Sequence, residues 1–460
     1  MELAANNSVT VRAVNPGRAT LHLVWACAYG ALLICANAVS MYRASYRVLG
    51  MVAIGAVLTA LVAVAPGDGG ARSAGLRRVP AAFVALFVLQ VILGLHDLGS
   101  FALTGNLTLG LLSGAQVLAF AGSAAVMVYG LRGETPERIF GVISLGMSLY
   151  VAVNVVAYEM GMVGEQGGFY STASSIDGSG AGRMIAPFGA GLNNFGTVAV
   201  MAEALVLLQL VSALAQGRFA QALTLVGLAV TNAFALYRVE MRGGFATLAV
   251  AVAWILTPRR WRVPVFWGGS LALCLAGVVY FNVWRVGWLD RFDNGSLQAV
   301  ERFQGDATML GGRVFVWEEA IRLLRHGEVG LLGVGLAKRD FGQALDAELG
   351  TTSRFQITAH SGALDLLVVY GPLLALAAVG LYVRLFRTLV RNWKSDLLAT
   401  PAFLLTTGVG LVCLACGVLE SFYFSPAFTG ALLGCAMVAR TPRVLGGARG
   451  AGSSAHPATS

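Results

Sequence analysis

Charge is what this sequence has least of. Only 12% of its 460 residues are Asp, Glu, Lys or Arg, against about 25% in an ordinary soluble domain. A soluble chain of this length would divide into domains with polar surfaces, and too few charges are present to cover them. Acidic residues are the scarcer sign, 23 against 32 basic ones. Neither an Asp-x-Asp pair nor a histidine cluster occurs in the long polar loops, so no metal-ligand set is legible there. Cysteines number six, at Cys27, Cys35, Cys274, Cys413, Cys416 and Cys435. All lie inside apolar runs. The Cys413-x-x-Cys416 pair has no histidine partners and reads as small packing residues, with no disulfide and no metal.

What is abundant is apolar sequence, 57% of the chain, arranged in long runs. A bilayer-spanning helix needs about 20 mostly apolar residues. Such runs are Leu21–Ser40, Val48–Ala65, Pro80–Leu95, Leu107–Gly130, Ile139–Tyr158, Asn194–Ala215, Ala220–Tyr237, Gly243–Leu256, Val263–Val283, Ser361–Val383, Ala399–Leu419 and Ala427–Val438. They predict an all-α, polytopic transmembrane helix bundle of about 12 spans. A hairpin-like break, for instance at Gly371-Pro372, could hide a further span. Continuous runs exclude a membrane β-barrel, whose strands alternate over about ten residues.

In this setting the net charge of +9 is a topology signal, not a nucleic-acid footprint. Arg72, Arg77 and Arg78, then Arg132 and Arg138, Arg218, Arg259, Arg260 and Arg262, and finally Arg384, Arg387, Arg391 and Lys394 fall on one side when spans are counted. The positive-inside rule makes that side cytoplasmic. Arg12, Arg18, Arg440, Arg443 and Arg449 put both termini there, and the loop Met41–Arg47, with Arg43 and Arg47, is an exception. The expected plan is a cytoplasmic segment over residues 1–20, a membrane domain over 21–440 and a Gly/Ala/Ser-rich cytoplasmic tail over 441–460. The first apolar run reads as a membrane helix rather than a removed leader. Two long loops, about 159–193 and 284–360, face outward.

Chemistry is expected at that outer face. The mid-span ionisable inventory is thin, with Glu203, Asp365 and, near a span's start, His22. Arg242, in YRVEMRGGFATL, sits where one span ends and the next begins, four residues after Arg238. A guanidinium there suits a phosphate, or simply snorkels to the interface. Arg313 opens GGRVFVWEEAIRLLR, which reads as an amphipathic helix. Val316, Trp317, Ala320, Ile321 and Leu324 form its apolar face, opposite Arg313, Glu318, Glu319, Arg322 and Arg325. Such a helix can lie on a membrane surface, with Arg313 either at an anion-binding N-terminus or merely solvated. His360 stands at the mouth of an apolar span, placed to accept a proton from an attacking hydroxyl or to make an interface hydrogen bond. Arg183, in GRMIAPFGAGLNNFGTV, precedes a turn-rich lead-in to a helix. His22, His96, His326 and His456 carry less signal.

The order and membrane side of these pieces resemble the O-antigen ligase and polymerase superfamily. The pieces are Arg242-Gly243, Gly312-Arg313 with Trp317, Gly333-Val334-Gly335, and His360-Ser361 through Tyr370-Gly371. Arg183-x3-Pro187-Phe188-Gly189-x3-Asn193-Asn194 resembles a further family segment. Two departures stand out: many members have His-Asn at His360-Ser361, and Ser/Thr-Arg-Gly at Met241-Arg242-Gly243.

The resemblance implies a GT-C-like membrane glycosyltransferase with a large periplasmic loop containing amphipathic helices. Such an enzyme takes a glycan from undecaprenyl diphosphate and inverts the anomeric carbon without a metal or cofactor. The acceptor is the lipid A core for a ligase in lipopolysaccharide assembly, or another lipid-linked repeat unit for a polymerase. On this reading His360 is the general base, Arg242 and Arg313 bind the diphosphate, and Arg183 assists. The location implied is a bacterial inner membrane with the site facing the periplasm. Ligation fits about twelve spans and one dominant loop best. O-antigen or exopolysaccharide polymerisation is the first alternative. A transporter or flippase of lipid-linked sugars is the second, although it would place charges at mid-membrane and repeat its halves.

Overall fold

The computed structural model describes residues 16–39, 50–57, 59, 79–103, 107–131, 134–162, 184, 186–189, 192–239, 242–285, 320–335, 361–391, 401–419 and 426–438. Every long regular element among them is a helix, because in lipid each backbone polar group must find its partner within the protein. In chain order they are α1 (Pro16–Val39), α2 (Ala81–Leu103), α3 (Leu107–Ala125, running on into a π-helical turn, Val126–Gly130), α4 (Pro136–Glu159), α5 (Leu192–Ala215) and α6 (Phe219–Val239). Then come α7 (Arg242–Leu256), α8 (Arg262–Arg285), α9 (Gly362–Val369), α10 (Gly371–Arg391), α11 (Pro401–Leu419) and α12 (Pro426–Val438). Each apolar run named above carries helix, the second one over residues 50–57.

The chain is thus a polytopic helical membrane protein. Among the described residues six helices are long and apolar enough to cross a bilayer: α1, α2, α4, α5, α6 and α10. Parts of α3, α7, α11 and α12 are apolar but shorter.

α5 lies at the centre and packs on α4, α6, α7 and α11. α12 closes the bundle against α3, α4, α2 and α11. Small residues permit this closeness. A side chain on Gly30 of α1 would meet the Gly146 carbonyl of α4 at 2.9 Å, so the two backbones touch there, as small residues allow in membrane helices. Polar pairs join the same helices inside the core. Gln209 Nε2 donates to the Phe140 carbonyl (3.0 Å) and to Ser144 Oγ (2.7 Å), and Asn232 Nδ2 donates to Ser148 Oγ at 3.0 Å. Such interhelical bonds are each worth about 0.6 kcal/mol in membranes. Glu203, one of the mid-span acids, is buried in α5 beside Asn232. Cys413 and Cys416 are buried in α11, as packing residues would be, and Cys435 of α12 lies against the Thr406 carbonyl.

The bundle has two unlike ends. At one, His22 of α1 lies 3.7 Å from Glu134, which also pairs with Arg138 at 2.7 Å. Arg218 in the α5–α6 turn, Arg259 and Arg260 before α8, and the last turns of α10 gather at this arginine-rich end. Trp254 Nε1 donating to the Leu404 carbonyl (2.9 Å) fixes α7 and α11 in that register. The opposite end therefore holds the start of α7, the start of α9, and the ends of α2, α4 and α6.

The structure corrects the reading of one run. Ser361–Val383 is not a single span. It is interrupted at Tyr370, and the long apolar helix begins at Gly371 with φ +81°. Pro372 has no N–H to offer the Val368 carbonyl. Residues 330–335 repair the break. Val334 N–H donates to the Val368 carbonyl (2.9 Å), Gly335 N–H to the Val369 carbonyl (3.0 Å), and Leu373 N–H to the Leu331 carbonyl (3.3 Å). Asp365 accordingly sits in the first turn of α9, buried, rather than in the middle of a long span.

Gly333 (φ +75°) and Gly371 face each other across this junction, and a side chain on either would strike the other's backbone. Gly371→Ala is expected to cost about 1 to 2 kcal/mol from the left-handed conformation, and more from the close approach of Gly333 and Leu331. Gly227→Ala, with open space around it on α6, should cost nothing. Thermal melts of the two purified variants in detergent check this. Equal midpoints would mean that the loop does not dock on the break.

Candidate functional site

Arg242 is the first residue of α7, so it stands at a ring of unpaired helix N–H groups that favours anions. Its side chain is outside the described residues. Arg238, in the last turn of α6, is held in place: its guanidinium is 3.3 Å from Glu159 at the end of α4 and lies 5.4 Å over the Tyr158 ring. The Arg238 carbonyl accepts the Met184 N–H at 2.9 Å. Arg183 is outside the described residues, but it is bonded to Met184. Met184 itself is thereby tied to the last turn of α6.

The Pro187-Phe188-Gly189 turn is built by side chains from α4. Phe188 N–H donates to Asn154 Oδ1 (2.7 Å), and Tyr150 Oη donates to the Phe188 carbonyl (3.4 Å). Gly189 is packed against Ala186 and Phe195, and Asn194 Nδ2 donates to Asn37 Oδ1 of α1 at 2.8 Å. This segment caps the arginine-poor end and leads into α5.

The second half of the candidate site is the docking of residues 320–335 on α9. Residues 320–325 are helical. Ala320 is fully buried against Val368, with Leu323, Leu324, Val334 and Leu364 around them. Arg322 and Arg325 are exposed, and Arg322 pairs with Glu328 at 2.9 Å. The apolar face expected from the sequence is therefore used, over this part, to grip the helix that His360 precedes. Arg313, Gly312, Trp317 and His360 themselves lie outside the described residues; Ser361 occupies the N-cap position of α9.

A feature that sequence reasoning passed over lies beside this docking. The apolar run ends at Leu95, but α2 continues to Leu103, which brings His96 and Asp97 inside the helix. His96 Nε2 is 2.8 Å from the Leu332 carbonyl. A carbonyl only accepts, so Nε2 carries a proton. Tyr370 Oη donates to Asp97 Oδ2 at 2.9 Å. The signal that could have found them is two adjacent ionisable residues at the end of an apolar run.

The start of α7 and the start of α9 occupy the same end of the bundle, and both helices pack on α11. They are separated by no more than about two interhelical spacings of ~10 Å each. The start of α7, with its unpaired helix N–H groups, and the start of α9, which His360 precedes in sequence, thus lie at one end of the bundle. That is a suitable arrangement for breaking a bond to a phosphate while a hydroxyl loses its proton.

None of the curated proteins compared with the chain matches it. A protein-family model described as O-antigen ligase matches residues 227–379. That stretch contains Arg242, Gly312-Arg313, Gly333-Val334-Gly335 and His360 through Gly371, the pieces on which the resemblance rests, so over about a third of its length the chain is similar to the O-antigen ligase family.

Proposed function

We propose that this protein transfers a glycan from undecaprenyl diphosphate to a sugar hydroxyl of the lipid A core, as an O-antigen ligase of lipopolysaccharide assembly. The working face is the periplasmic side of a bacterial inner membrane. The observation that carries this reading is the convergence within the matched stretch. Arg242 opens α7 at the same end of the bundle where residues 320–335 grip the helix that follows His360.

The chemistry needs three things. The acceptor hydroxyl attacks the anomeric carbon from the side opposite the diphosphate, so the configuration inverts. His360 takes the hydroxyl proton as the new C–O bond forms. The bond to the diphosphate oxygen breaks, and undecaprenyl diphosphate leaves with its electron pair. Arg242 and Arg313, helped by Arg183, hold the negative charge that develops there, the role a metal plays in other transferases. The polyprenyl tail lies along lipid-facing helices. α6 and α10 offer it exposed apolar side chains such as Leu223, Val230 and Leu376. The transferase domain then spans residues 21–440, flanked by cytoplasmic segments 1–20 and 441–460.

Membrane vesicles holding the wild-type chain, undecaprenyl-diphosphate glycan and core acceptor test the reading on a gel. The expected product is glycan joined to lipid A core. Lengthened lipid-linked glycan would make the protein a polymerase. Movement of the lipid-linked glycan across the bilayer with no new bond would make it a flippase.

A further inference from the structure

Residues 330–335 are stapled to the broken helix by backbone bonds at Leu331, Val334 and Gly335. A side-chain staple comes from another helix, α2, where His96 Nε2 donates to the Leu332 carbonyl at 2.8 Å. The neighbouring Asp97, almost fully buried, accepts from the Tyr370 hydroxyl at 2.9 Å, and the His96 and Tyr370 rings lie 5.3 Å apart. Gly335 packs on Ser100, one turn further along α2. Two consecutive side chains of α2 thus reach both halves of the junction, the loop through His96 and the end of α9 through Asp97. Both acidic and imidazole groups at this depth are expensive to bury without a purpose. They lie outside the matched stretch, residues 227–379.

We propose that His96 and Asp97 are positioning residues for transfer, holding the loop that follows the helical residues 320–325 and the helix that follows His360 in sequence in one register. The inference rests on the transferase reading above. Neither side chain touches substrate. Their effect is to keep the phosphate-binding arginine and the base at the spacing the reaction needs, where a misplacement of about 1 Å can cost ~10²-fold in rate. Loss of the staple therefore lowers kcat and leaves donor KM nearly unchanged, because the groups that bind the donor remain present.

The experiment compares wild type, His96→Leu, His96→Gln and Tyr370→Phe, as full chains in lipid nanodiscs. Transfer kinetics and hydrogen exchange of the peptide containing Val334 and Gly335 are both measured. His96→Leu is expected to lower kcat roughly 10- to 100-fold and to speed exchange of those amides. His96→Gln, which keeps an N–H donor for Leu332, should restore much of both. Tyr370→Phe should show the same kcat loss in smaller degree. If wild type transfers and His96→Leu keeps its kcat, or exchanges like wild type, the positioning role is overturned while the transferase reading stands. If wild type transfers nothing, the transferase reading falls, and the catalytic part of this inference falls with it.

Discussion

Replacing His360 by alanine is expected to lower glycan transfer by roughly 10² to 10⁴ with little change in expression or melting temperature. A sugar hydroxyl is a poor nucleophile at neutral pH, and a positioned base supplies about that factor. In sequence the residue precedes Ser361, the N-cap position of α9, a helix that packs Leu364 and Val368 against Ala320. The loss of a general base is expected in kcat. The check is initial-rate transfer by detergent-purified variants matched for amount. A His360→Ala enzyme within a few-fold of wild type would remove the base from the mechanism.

Arg242 should prove nearly as sensitive, and lysine should not replace it. A diphosphate accepts two parallel bonds from a guanidinium, whereas an ammonium meets it as a single point charge. Removing one such electrostatic donor typically costs about 10²- to 10³-fold. Arg242→Ala is therefore expected in that range, with Arg242→Lys recovering only part of the loss. Because Arg242 and Arg313 are assigned the same leaving group, the double variant should lose less than the product of the two single losses. Full multiplicativity, measured in the same transfer assay, would mean that the two arginines act on different groups. Wild-type activity in Arg242→Lys would reduce its role to charge.

Much of the fold was legible in the sequence because hydropathy acts locally. Runs such as Asn194–Ala215 and Ile139–Tyr158 coincide with α5 and α4 to within a few residues. The alternation of arginine-rich turns also follows the chain, and the structure gathers Glu134, Arg138, Arg218, Arg259 and Arg260 at one end. The break is legible as a place, Gly371-Pro372, but its repair is not. An apolar average is blind to which carbonyls lose their partners, and here the repair comes from Val334 and Gly335, far away in sequence. His96 and Asp97 were passed over for a similar reason: their partners are 236 and 273 residues away, so no spacing reveals them. Arg242 could be found because a charged residue between two apolar runs is conspicuous, and it does open α7. For Arg183, Arg313 and His360, which lie outside the described residues, the structure supplies their flanks: Met184 tied to Arg238, residues 320–325 packed on α9, and Ser361 at its N-cap position.

The central claim is that this protein breaks the bond between a glycan and a lipid diphosphate. The most direct measurement reconstitutes the purified chain in liposomes with undecaprenyl-diphosphate glycan and core acceptor, with a chelator present. It counts free undecaprenyl diphosphate against glycan joined to the acceptor. One lipid diphosphate released per glycan transferred, at a rate the chelator does not change and His360→Ala abolishes, is the expected result. Donor that stays intact in the presence of well-folded protein and acceptor would contradict it.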